Sequence, residues 1–386
     1  MSSNGLGSVD IRRASSCNGF FDEFRKNIAL FSGGNGLRFE SRVSNAIAKS
    51  MVYTHTGITL YMKSIAFEPI IKGRNVSGAI VKDLINNSIG RITARVIVDD
   101  TDLGDFSAAC GAKYMVGREA RSEAEPHAGH IFFEDSTQEI LPGSTGKGDH
   151  KIQSYAYLMQ WKDYGDKTAP QIAKPDNYNP DTYSNSPAWE NTWAYLYARI
   201  PNRKFEINQH PYGTDWPGIN FGYVKANAKK REEINKLYKD RALGYLYYIQ
   251  NEMGLKNLGL ADDEFLDNDC FPTSIYLRET RRFIGEYLYR EDDVRGLRRK
   301  TYPDSIAIGD YPMDSHAMED LKDPTRKDKG EGEMFLSSFT PIFPIPYGVL
   351  LPKKINNLLI TSCASSTHVA RGALRMEPVR MSLGET

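Results

Sequence analysis

Apolar residues recur at two different periods along this chain, and the switches between them mark its elements. Within a Ser-, Gly- and Asn-rich first 34 residues, FFDEFRKNIALF (20–31) carries one short helical pattern. A stronger one runs from about 36 to 51, where Leu37, Val43, Ile47 and Met51 fall near one helix face. The period then becomes that of strands. GITLYMKSIAFEPIIKG, VSGAIVKDLINN and GRITARVIVDD are rich in Ile and Val, with turn residues at GRNVSG and NNSIG, which predicts a small antiparallel meander. From about 121 to 220 the chain is long on Pro, Asn, Asp, Tyr and Gly and shows little periodicity, as in a loop-rich insertion or a substrate-facing layer. Helical spacing returns at 226–254, with Ile234, Leu237, Leu243, Leu246, Tyr247 and Ile249 on the expected buried side. A second helix is predicted over SIYLRETRRFIGEYLY (274–289). A charged loop follows at 317–333, then a Pro-punctuated approach to an apolar strand at 357–361, and a final helix from Thr367.

Composition narrows the class. The 49 basic residues balance 49 acidic ones, so no net field favours nucleic acid or an anionic membrane. Cys17, Cys110, Cys270 and Cys363 are scattered, without the spacing of a zinc or iron–sulfur site, and no metal is expected. They fit a reducing compartment. No signal-peptide pattern or run of eighteen apolar residues appears, so the expectation is a soluble protein, cytoplasmic by default.

Three stretches carry candidate chemistry, and each admits a structural reading beside the functional one. NNLLITS–CASST–HVARGALRM reads as strand, small-residue turn and helix; the turn could seat a phosphate or an electron-rich ring edge, or could be a packing turn. His368 at its end is either an acid/base or a structural histidine. VDDTDLGD sets Asp99, Asp100, Asp102 and Asp105 after a strand, without the spacing of a calcium loop, as a ligand-touching loop or a solvated turn. YLRETRRF would place Arg278, Arg281 and Arg282 on one helical turn, to bind an anion or to pair with Glu279 and Glu286. GSTGKGDH lacks the Ser/Thr and the leading strand of a phosphate loop.

Taken in order, ARVIVDDTDLGDFSAACGAKYMVGREA, EPHAG, LPGSTGKGDHKIQSY, IPNRKFEIN, YLRETRRFIGEY, DSIAIGDYPMDSH, FPIPYGVLLPKKINNLLI and SSTHVARGALRMEPVRMSLGE resemble the FAD-dependent oxidoreductase family, in a branch that carries a xanthan-lyase-like label. The resemblance covers nearly the whole chain. It implies an α/β (α+β mixed) fold, with a Rossmann-type FAD-binding domain (1–120 and 335–386) interrupted by a larger substrate domain (121–334). It also implies FAD as cofactor and hydride transfer between an organic substrate, a small molecule or saccharide, and the flavin. By the same resemblance Cys363, Ser365, Ser366, Thr367 and His368 line the flavin, and Arg375 and Glu377 fix the last helix. Asp99, Thr101, Gly104 and Asp105 lie on the nucleotide side. His368, Arg281 and Arg282 are the catalytic candidates, with His316 and Tyr347 on the substrate wall.

The chain departs from the family at the start, where no strand and GxGxxG precede the meander, and at the end, where the helix stops at LGET. Asp100 and Asp102 also stand where smaller or apolar residues are usual. The FAD-binding domain is therefore expected to be incomplete, as in a truncated or split chain, which leaves room for an N-terminal fragment supplied in trans. The alternative is a non-catalytic module binding a glycan or a protein through the aromatic run NSPAWENTWAYLYARIPN.

Overall fold

The computed structural model describes residues 4–184, 198–208, 214–299, 301–319 and 330–386. Most of the aromatic run, at 185–197, and most of the charged loop lie outside them. Helices α1 (Gly19–Ser32) and α2 (Ser41–Tyr53) pack as a pair over Phe21, Phe24, Ile28, Phe39 and Ile47. The second starts later than its pattern suggests. Gly36 is left-handed, with φ of 72°, and Phe39 N–H donates to Gly7 O, so residues 36–40 tie the N-terminal segment down instead.

The meander forms as expected: β1 (Ser64–Lys72), β2 (Asn75–Asp83) and β3 (Ile89–Thr93) are antiparallel in sequence order. Ile65, Phe67, Ile71, Ile89 and Ile92 stand in solvent on it. After a break at 94–96 the chain enters β4 (Ile97–Asp99), turns through a loop at 100–104 and forms α3 (Asp105–Ala109) and β5 (Tyr114–Met115).

The stretch read as loop-rich contains more strand than its composition suggests. A hairpin, β6 (Phe133–Glu134) and β7 (Glu139–Ile140), precedes β8 (Met159–Asp163), a short helix α4 (Asp181–Ser184), β9 (Ala198–Ile200) and β10 (Lys204–Ile207). Next comes α5 (Ala228–Asn251), opened by Asn227, whose side chain accepts from Lys230 N–H. With β11 (Leu258–Leu260) the strands form an antiparallel sheet in the order β11-β8-β10-β9. Helix α5 buries Ile234, Tyr238, Ala242, Tyr245, Leu246 and Ile249, with Tyr245 5.4 Å from Trp161 of the sheet. The buried face is thus rotated from the expected one. Leu237 is exposed and Leu243 and Tyr247 are half-buried, because Tyr238, whose hydroxyl donates to Trp216 O, and Tyr245 fill the sheet side.

The helix expected at 274–289 is absent. That segment is extended: it bridges Ala156 at Tyr276, pairs with β5 through β12 (Arg282–Phe283), and bridges Pro352 at Gly285. Residues 278–283 are all buried, and their arginines reach different walls, Arg281 to Asp105 and Arg282 to Glu119. A helix would have crowded those cations onto one face; alternation in a strand separates them.

The C-terminal part adds α6 (Glu291–Val294) and two antiparallel pairs. β13 (Ser305–Gly309) pairs with β16 (Phe343–Pro346), and β14 (Met313–Ser315) with β15 (Met334–Leu336). Strand β17 (Leu358–Ile360) then runs parallel to β4, the one parallel pair of named strands among the described residues. The last helix is split. Helix α7 (His368–Leu374) ends at Arg375, Met376 is extended, and α8 (Glu377–Glu385) begins with Pro378 in its first turn. In a continuous helix the Pro378 ring would strike the carbonyl of Leu374, so the break is dictated by sequence.

Candidate functional site

The parallel register aligns Leu358 with Ile97 and Ile360 with Asp99, so both strands end side by side. This brings together two of the predicted groups, the loop at 99–105 and the turn at 361–367. Ser362 Oγ donates to Asp100 Oδ1 at 2.6 Å and the Cys363 thiol to Asp102 O at 3.3 Å. Gly104 is left-handed at φ 62°, and a Cβ there would lie 2.5 Å from the Phe283 ring and 3.3 Å from Cys363 Sγ.

Asp99 is committed to its own loop. Its oxygens accept from Thr101 N–H and Oγ1 and from Ser107 N–H and Oγ, at 2.6–3.0 Å. Asp105 bridges Arg231 and Arg281; burial raises its pKa, but those hydrogen bonds bring it below the ordinary carboxylate range. Arg281 also donates to Leu103 O at 2.7 Å and lies over the Tyr114 ring.

His368 and Arg282 sit in a closed polar ring with Glu119 and Glu279. Arg282 donates to Glu279, to Glu119 Oε1 at 2.7 Å, and to the carbonyls of Gly117 and Ser366. His368 N–H donates to Glu119 Oε2 at 2.8 Å, and its Nδ1 lies 2.9 Å from Glu279 Oε2. Burial raises the pKa of Glu279, but His368 and Arg282 hold it below its usual range. An ionised Glu279 can only accept, so Nδ1 carries the proton. His368 is 2% exposed and Arg282 fully buried.

The rest of the turn is equally enclosed. Burial pushes the Cys363 thiol up to about 11. Ser365 Oγ accepts from Gly285 N–H, and Thr367 N–H donates to Tyr289 O. Arg375 pairs with Asp314 at 3.1 Å, and Glu377 Oε1 accepts from Tyr276 at 3.0 Å. Tyr347 lies in a short 3-10 turn after β16, half-buried against the C-terminal core. His316 belongs to another buried cluster, with Nδ1 2.7 Å from Asp215, which also pairs with Arg278 at 2.9 Å. Burial, then Arg278, lowers the His316 pKa.

Sequence reasoning missed several groups. Arg371 of α7 is 3% exposed and makes no ion pair or side-chain hydrogen bond among the described residues. Asp10 and Glu206 converge on the α8 end of the site from the N-terminal segment and from β10. Burial, then Glu377 and Asp314, pushes Asp10 up to about 8; burial raises Glu206 to about 7 although Gly7 and Ser8 N–H groups donate to it. The Arg371 signal was visible as the one cation in the small-residue run THVARGAL. The partners of Asp10 are distant in sequence and left no local pattern.

A cavity of about 440 Å³ opens beside the paired loops, walled by Phe20, Asp100, Asp102, Glu377, Arg380 and Glu385 among others. Arg380 bridges Asp102 and Ser362 across it. A second acidic group, Glu40, Asp263 and Glu264, has the spacing of metal ligands, but the Lys204 ammonium already pairs with all three.

The family model for FAD dependent oxidoreductases matches residues 1–386. The chain belongs to that family. No curated protein and no solved structure matches it. FAD is the family's cofactor. The side chains of the terminal turn are small, and Ser366 Oγ and Arg371 Nε are buried without partners. The cavity wall has four carboxylates against one arginine, which suits hydroxyls and disfavours phosphates. Among the described residues no helix is long and apolar enough to cross a membrane.

Proposed function

We propose that this chain carries the flavin-ring and substrate side of an FAD-dependent oxidoreductase that moves a hydride between an organic substrate and the flavin. What carries the reading is the parallel alignment of β4 with β17, which sets the 99–105 loop against the Cys363–Thr367 turn within a chain matched by the family along its length. The flavin supplies two-electron chemistry when bound. The protein's part is to hold it by the turn, with Ser366 and Arg371 as donors, and to keep water out through the enclosure of α7. His368 and Arg282, paired with Glu279, act as a rigid back wall. A small organic molecule or a saccharide is the substrate class.

The interrupted Rossmann arrangement belongs to the same proposal. Strand β4 is paired on one side only among the described residues, and Val98 on it is more than half exposed. Parallel strands are ordinarily covered and paired on both sides. A segment bearing the glycine-rich phosphate turn, supplied in trans, would pair there and provide the pyrophosphate seat that the acidic cavity does not. The test is FAD reconstitution with and without such a segment, followed by absorbance in the flavin bands. Retained flavin supports the reading; a colourless protein in both cases removes it.

A further inference from the structure

Far from the paired loops, the C-terminal end of α1 gathers cations without acids. A cavity of about 450 Å³ opens there, walled by Ser8, Arg12, Ser32, Gly33, Asn35 and Arg38 among others, with no carboxylate in its lining. Phe20, at the start of the same helix, lines the acidic cavity, so the two openings lie about 18 Å apart along α1.

The wall is held in place by the chain itself. Ser8 and Arg38 face each other in an antiparallel bridge, so their side chains project to one side. Arg25 donates to Asn35 O at 2.9 Å and Leu37 N–H to Asn35 Oδ1 at 3.1 Å, which fixes the turn between α1 and α2. Gly33 and Gly34 leave open space where a Cβ would stand, so the backbone of that turn is uncovered. Arg12 is clamped by two carbonyls, Thr340 O at 2.6 Å and Ser337 O at 2.8 Å, which orient the guanidinium without neutralising it. Asp310, whose carbonyl accepts from Arg12 N–H, has both carboxylate oxygens taken by Arg13 at 2.9 Å. Glu206 accepts from Ser8 N–H but does not line the cavity. Arg38 makes no ion pair or side-chain hydrogen bond among the described residues, and Ser32 Oγ is buried without a partner. The end of α1 uses some of this charge: its last turn has no basic residue of its own, and its final carbonyls carry about half a negative charge. Two full cations exceed that need.

We propose that this pocket binds the phosphate group of a phosphorylated small molecule, with Arg12 and Arg38 as its cations and Ser32 as a hydroxyl donor. Guanidinium groups match the oxygens of a phosphate in charge and in fork geometry. The cavity has room for more than the phosphate, and Ile11, Leu37 and Pro201 in its wall offer apolar cover for an organic part. The site stands apart from the function proposed above and is tested without flavin.

The experiment is isothermal titration of the full chain, at fixed ionic strength, with inorganic phosphate and with phenyl phosphate. Both should bind saturably, phenyl phosphate more tightly. Arg38→Gln, which removes no intrachain bond, should weaken phenyl phosphate binding by about tenfold, the loss expected for one hydrogen bond to a charged group, and should leave the melting temperature of the free chain unchanged. Arg12→Gln should weaken binding at least as much, whereas Arg91→Gln, at an exposed position of β3, should not alter it. Phenyl phosphate should raise the melting temperature of the parent, and raise that of Arg38→Gln less at the same concentration. No saturable heat with either probe, or an affinity for phenyl phosphate that Arg38→Gln leaves intact, overturns the proposal. Phenyl phosphate bound no more tightly than inorganic phosphate overturns the organic part of it.

Discussion

Glu279 holds together what the sequence presents as separate candidates. Its carboxylate accepts from Arg282, from His368 and from Gln153 N–H while fully buried. Glu279→Gln should therefore destabilise the folded chain by about 3 kcal/mol in urea denaturation even without flavin, because a charged centre loses its partner in low dielectric. His368 was legible as a residue of interest because it closes a small-residue turn. Its partner was not, since Glu279 lies 89 positions away.

Two desolvated acids give a second residue-scale expectation. Asp10 and Glu206 have folded pKa values of about 8 and 7, above their unfolded values. Between roughly pH 4 and 8 the folded chain binds more protons than the unfolded chain, so these groups stabilise at low pH. That contribution is lost as pH rises through the folded values. The melting midpoint should fall from pH 5.5 to 8.5, and Asp10→Asn should flatten the slope. A midpoint that rises over this range would contradict the assignment.

At the scale of elements, period and turn chemistry were read well where one face meets water. Helix α1 and the first two meander strands follow their patterns, whereas α2 starts about five residues late and the run GRITARVIVDD splits into β3 and β4. Period and turn chemistry fail where burial is complete. Segment 274–289 has alternating charges that imitate a helix, and only the distant acids Glu119, Asp105 and Asp215 show why it is extended. Pro378 did signal the break between α7 and α8, although the run was read as one helix. Gly104 tests the loop geometry: Gly104→Ala combines a left-handed φ with a Cβ pressed on Phe283, and should cost about 2–3 kcal/mol in chemical denaturation. Gly33 also has positive φ, but with ψ of −172° and open space around its Cβ position; Gly33→Ala should cost about 1–3 kcal/mol in the same assay through backbone strain alone.

For the whole molecule, the distribution of apolar surface is uneven. The two larger cores lie under α5 and around α7, whereas residues 58–98 expose Leu60, Met62, Ile65, Phe67, Ile89 and Val98 beside an open strand edge. Such a surface promotes association through edges and apolar faces. Light scattering of the purified chain should rise with concentration, and Val98→Lys with Ile92→Lys should suppress it with little loss of melting temperature. The mixed class of the fold was legible from the sequence; the uncovered face was not, because alternation reads alike whether or not anything lies against the strand.

Every residue of α7 is buried, from His368 to Leu374. A helix with no outward position has no place where drift is harmless: in a saturation scan scored by growth or solubility, its seven sites should form the least permissive window of the chain. The long α5, half of it facing water, should accept most polar replacements on its outer side. Any variant library meant to alter this protein should leave those two turns of backbone untouched and begin instead at the walls that face them.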